Sequence, residues 1–135
     1  KDVLRVLGNA TPKKSGSLES YSYPGKGDFG GEVIVELSGA TGIVESVIVQ
    51  FSPNITRTQA RKKYGDNYRE VRYSISDCPQ DSILPLAYRD PKGGIELLEY
   101  PQNGLLLWPN QYGLDIAAAV YRAKELPKVK PKCRK

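Results

Sequence analysis

The chain contains no histidine and two cysteines, Cys78 and Cys133, and these facts limit its chemistry before any fold is considered. Without imidazole there is no Ser-His-Asp or Cys-His nucleophile, no His-ligated zinc or haem, and no His general base. The cysteines are too far apart for a CxxC redox or zinc pair, so no transition-metal site is expected. What remains is carboxylate chemistry. A glycosidase-type pair would have to come from Glu36, Glu45, Glu96, Glu99 or Asp115. Each of these alternates with apolar neighbours in the way a solvent-face strand residue does. We therefore expect no catalytic residue, no metal and no cofactor.

Four further stretches invite a ligand or a modification and have ordinary explanations. Residues 25–30, GKGDFG, match the GxGxxG of dinucleotide sites, but that site needs a helix next, to seat the pyrophosphate on its N-terminus. Here the next run is EVIVEL, a strand, so the glycines read as a connection between strands. Asp77 and Asp81 flank Cys78 without the ligand count or glycine of a calcium loop. The N-x-T sequons at Asn9 and Asn54 suit loop and helix-cap positions, which favour Asn and Thr in any case.

The elements that would position these residues alternate clearly in places. LESYSYP puts Tyr21 and Tyr23 on one face of a strand. EVIVEL does the same for Val33, Val35 and Leu37, and a SGATG turn leads to the β-branched run ending at Phe51. Thr56, with Gln59 three residues on, forms a capping box that opens a helix. Ala60 and Tyr64 give that helix a narrow apolar stripe, and Gly65 stops it. YREVRYSI, IELLEY and LLLW read as further strands, with a loop-rich insertion over residues 76–94, and the alanines of LDIAAAVYRA leave that run open between strand and helix. Residues 1–7, KDVLRVL, suit the last turns of a helix stopped at Gly8.

Tyr21, Tyr23, Tyr73, Tyr100 and Trp108 all fall on expected strands. They are the candidate binding residues, as an aromatic contact face of the sheet; the alternative is that they pack beneath the helices. Cys78 and Cys133 lie in polar, Pro-containing loop sequence, where a free thiol would be exposed. A disulfide formed in an oxidising compartment is therefore expected. Closing so long a loop would contribute about 4 kcal/mol on the chain-entropy model and would tie the C-terminal tail to the body.

The 135-residue chain carries a net charge of +5, which at first suggests a phosphate or anionic lipid partner. Residues 124–135, KELPKVKPKCRK, hold six cations and one anion, so the tail accounts for the whole excess and residues 1–123 are neutral. In the helix the cations cluster toward the C-terminus, where the macrodipole favours them. Nucleic-acid binding is not expected, and membrane contact is left to the tail or to an anchor upstream of Lys1. No apolar run approaches the eighteen or so residues of a membrane span. The first residue is not Met, so any signal peptide would also lie upstream.

The two halves follow one order: a helix ending in glycine, a strand carrying tyrosine, then strands separated by Gly-containing turns. The expected fold is α+β, with two helix-plus-three-strand repeats forming one antiparallel sheet and the helices packed on one face. The first repeat covers residues 1–53, the second 54–123 with the insertion at 76–94, and the basic tail 124–135.

A helix closing in VLRVLG, a loop with Pro, a Tyr-bearing strand and a hairpin around Gly resemble the SmpA/OmlA (BamE) family of small outer-membrane lipoproteins. TRTQARKKYG, EYPQNGLLLW and IAAAVYRA look like a second, more divergent copy, and the tandem is similar in layout to the β-lactamase inhibitor protein fold. The resemblance implies a strand for the alanine-rich LDIAAAVYRA. It also implies a non-enzymatic, extracytoplasmic protein, periplasmic or secreted, that works by contact with another protein. It carries over no functional residue. The alternative is binding to an anionic surface or nucleic acid through the basic tail and the helix at 56–64.

Overall fold

The computed structural model describes residues 8, 10–26, 31–78, 82–110, 115–122 and 125–133. Among these residues nine strands form one antiparallel sheet: β1 Lys13–Ser15, β2 Leu18–Tyr23, β3 Glu32–Ser38, β4 Val44–Ile55, β5 Arg69–Ser76, β6 Leu86–Arg89, β7 Ile95–Tyr100, β8 Leu105–Pro109 and β9 Ile116–Arg122. Their order across the sheet is β1-β2-β3-β4-β9-β8-β7-β5-β6. Two three-stranded meanders, β2–β3–β4 and β7–β8–β9, thus meet at the central β4/β9 pair. There Ile48 lies opposite Val120, and both are almost fully buried. Each such side chain contributes about 1.5–3 kcal/mol through burial.

The expected α+β architecture is overturned. Among the described residues there is one α-helix, α1 Arg57–Tyr64, of eight residues, so the chain is a mainly β protein. Two features of the sequence account for this. The second half supplies five strands rather than the three of a repeat: the four runs YREVRYSI, IELLEY, LLLW and LDIAAAVYRA all become strands, and Leu86–Arg89, inside the stretch read as a loop-rich insertion, adds a fifth by pairing with β5 from Tyr73↔Arg89 to Ser76↔Leu86. Apolar side chains also line both faces of the sheet, as near-continuous runs such as LLLW require, so helices on one face could not cover it. The helix expected over residues 1–7 lies outside the described residues. A further strand, β1, occupies part of the first loop and pairs with β2.

On one face, here the helix face, Val33, Val35, Leu37, Phe51, Leu98, Tyr100 and Leu107 form a core with Ala60 of α1. The helix is placed by its termini. Thr56 Oγ1 accepts from the Gln59 amide at 3.0 Å, Gln59 Oε1 accepts from the Thr56 amide at 2.8 Å, and Gly65 at φ 97° donates to the Arg61 carbonyl. Arg57 also reaches Glu96 on β7 at 3.2 Å.

The opposite face carries a second core of Ile34, Ile48, Tyr73, Leu97, Trp108 and Val120, closed by Leu84 of the insertion and Leu126 of the tail. Each covering segment has its own tether. Glu36 on β3 accepts from Ser82 Oγ at 2.6 Å and from the Ile83 amide at 2.9 Å, while Ser46 Oγ donates to it at 2.8 Å. Arg89 at the sheet edge donates its amide to the Pro127 carbonyl at 2.8 Å. Cys78 and Cys133 form the expected disulfide, with a Cα–Cα distance of 5.0 Å. This second face is the tail face.

Candidate functional site

Where the tail crosses strands β5 to β9, a cleft of about 200 Å³ opens. Strand register assembles most of its walls. Arg69 faces Glu99 across β5 and β7, Tyr73 faces Arg89 across β5 and β6, and Glu99 faces Leu106 across β7 and β8. Leu106 in turn faces Val120 on β9, and two residues further Arg122 points to the same side. Pro101, Gly104 and Leu105 close one end at the β7–β8 turn, and Glu125, Leu126 and Lys128 of the tail form the outer wall.

Glu99 is the centre of this arrangement. Its Oε1 accepts from both Nε and one terminal nitrogen of Arg69, each at 3.1 Å. Its Oε2 accepts from the Tyr73 hydroxyl and from Arg89 at 3.4 Å. A carboxylate offers about four lone-pair sites, and Arg69, Tyr73 and Arg89 occupy both oxygens of Glu99, which makes it an internal anchor for these side chains. The arginines retain spare donors, because a guanidinium has five N–H groups and Arg89 gives one of them to Glu99. The cleft's charged lining is Arg69, Arg89, Arg122 and Lys128 against Glu99 and Glu125, which favours an anion by two charges.

Burial shapes the titrating groups around it. The Tyr73 phenol is pushed up to about 12, first by burial and then by its hydrogen bond to the Glu99 carboxylate, with Arg89 opposing. Burial also lowers the Arg122 guanidinium from its usual range, against the pull of the Glu36 and Glu45 charges. Arg122 stays protonated near neutral pH regardless.

The five aromatic candidates do not form one surface. Tyr21 is half-buried against the helix-face core. Tyr23 is buried on that face and donates to the Gly8 carbonyl at 3.1 Å. Tyr100, also buried, donates to the Gly65 carbonyl at 2.8 Å and has its ring centroid 5.6 Å from that of Tyr68. Tyr73 and Trp108 are buried on the tail face. Of the five, Tyr73 and Tyr100 line the cleft.

The carboxylates require a correction. Glu36 and Glu99, read as solvent-face residues, are 2% and 6% exposed, because the insertion and the tail cover the face that alternation left to water. A signal was present in IELLEY: Glu96 and Glu99 stand three apart, so they lie on opposite faces of a strand, and the adjacent Leu97 and Leu98 show that both faces are covered. The Gly-rich run is followed by the antiparallel strand β3, as expected, and not by a helix; its residues 27–30 lie outside the described residues. Among the described residues no group of three or more metal-ligating side chains comes together. No helix among them is long and apolar enough to cross a membrane.

Set against models of protein families, against curated proteins and against solved structures, the chain matches none.

Proposed function

We propose that this chain is an extracytoplasmic, non-enzymatic protein-interaction module that seats an anionic anchor of a partner protein in the cleft beside Glu99. The observation that carries the reading is the composition of that cleft: spare arginine donors held in place by the carboxylate of Glu99. Its size supports a protein partner over a cofactor. At about 200 Å³ it is smaller than the roughly 300–1,000 Å³ of small-molecule sites, and it exceeds an engineered cavity of about 150 Å³ that holds benzene. One residue of a partner fits that range.

The Cys78–Cys133 disulfide supports an oxidising compartment, the periplasm or the secreted space. The short-motif resemblance to SmpA/OmlA units fits the same class, contact with other proteins, and is proposed only at that level. The alternative of one anionic-surface or nucleic-acid site built from the tail and the helix is disfavoured by their placement. Leu126 of the tail belongs to the tail-face core and Ala60 of the helix to the opposite one.

Capture of a partner from an extracytoplasmic fraction, compared among charge variants of the exposed tail, tests the proposal. Lys128→Glu, in the cleft wall, should weaken capture, and Lys130→Glu, outside it, should not. Equal losses at both positions would point instead to diffuse attraction by the tail.

A further inference from the structure

Resting on that binding reading, we infer that the occupant of the cleft is the C-terminal residue of a partner polypeptide, an aliphatic side chain together with its free α-carboxylate. The lining is divided in kind: Leu106 and Leu126 provide apolar surface, and Arg69 and Arg89 provide cations held by Glu99. Each simpler ligand leaves part of this unused. An internal Asp or Glu, or an inorganic phosphate, pairs with the guanidinium groups and leaves the leucine wall against water. An aliphatic side chain within a chain covers the leucines and leaves the arginine donors facing an apolar group, which is costly. A C-terminal aliphatic residue carries both features on one Cα, with the carboxylate and the side chain separated by two bonds.

The arginines are also prepared for this task. Arg69 meets Oε1 of Glu99 through two nitrogens, each at 3.1 Å, which fixes the plane of its guanidinium. A fixed guanidinium loses less conformational freedom when it binds a second carboxylate. Glu99 accepts from these arginines and does not itself bind the incoming group. It orients the donors and sets a limit of one net charge on the Arg69–Arg89–Glu99 cluster, enough for a single carboxylate.

The test is an amide-shift titration of the ¹⁵N-labelled, oxidised chain with short Gly-Ser peptides, to millimolar concentration. A peptide ending in leucine as the free acid should shift the amides of Leu105, Leu106 and Leu126 saturably. It should bind about tenfold tighter than the same peptide as a C-terminal amide or ending in glycine. Lys128→Glu should weaken it severalfold. Equal binding of acid and amide overturns the inference, as does a peptide with an internal Asp, or inorganic phosphate, that binds as well as the free acid. If no peptide binds while partner capture still depends on Lys128, the C-terminal reading falls and the binding module stands. If capture is indifferent to Lys128 as well, both fall.

Discussion

The Tyr73 hydroxyl on β5 donates to Glu99 on β7 in a contact buried on both sides. It links the tail-face core to the floor of the cleft, since Tyr73 packs among the apolar residues of that core while Glu99 holds Arg69 and Arg89. Tyr73→Phe keeps the ring and removes one hydrogen bond to a charged group, a loss of about 1.5–3 kcal/mol. Chemical denaturation should show that loss, and a variant as stable as the parent would mean that the contact contributes nothing.

The same phenol sets an alkaline limit. Its folded-state value of about 12 lies above the ordinary 10.0, so the folded state holds the proton more tightly than the unfolded one. The resulting stability is complete below pH 10 and is lost as pH rises through about 12. Unfolding midpoints measured across that window should fall for the parent chain and fall less for Tyr73→Phe. Parallel curves would show that other groups govern the alkaline transition.

Glu36 should act as a local clamp on the insertion. It accepts three hydrogen bonds, two of them from Ser82 and Ile83, and it is 2% exposed. In Glu36→Gln one acceptor oxygen becomes an NH₂ that cannot accept, so about 1.5–3 kcal/mol should be lost. Hydrogen exchange at the Ile83 amide should accelerate along with it. Unchanged protection at Ile83 would place the restraint of this loop elsewhere.

The disulfide holds the outer wall of the cleft. Replacing both Cys78 and Cys133 by Ser should lower stability by about 4 kcal/mol on the chain-entropy estimate. It should also free the tail from the sheet edge, so that the Arg89 amide, bonded to the Pro127 carbonyl, exchanges faster. Loss of stability with full protection at Arg89 would show that the tail stays seated without its covalent tie.

Features set by neighbours a few residues apart were legible in the sequence. Thr56, Gln59 and Gly65 mark the helix because a capping box and a glycine stop are local devices, and Thr56→Ala should cost about 1 kcal/mol by denaturation. Val33, Val35 and Leu37 announce their shared face by alternation alone, and Cys78 and Cys133 paired as their loop setting suggested. Other features depend on distant chain. Leu86–Arg89 is four residues long and bounded by Pro85 and Asp90, too short for periodicity, and becomes a strand because β5 offers an edge. Gly93, whose amide donates to the Asp90 carbonyl in the connection from β6 to β7, lies directly against β5, since a Cβ there would meet the Tyr73 carbonyl at 2.1 Å. The burial of Glu36 and Glu99 comes from the insertion and the tail folding back over the sheet. Arg69, Arg89 and Arg122, scattered along the sequence, converge only through strand order.

Opposite charge changes at two exposed residues of the tail measure the anion-binding claim most directly. The dissociation constant of the captured partner should rise roughly two- to fivefold with Lys128→Glu, fall by a similar factor with Glu125→Lys, and stay unchanged with Lys130→Glu. Identical constants for all three variants, or equal losses at Lys128 and Lys130, would contradict an anion seated in the cleft.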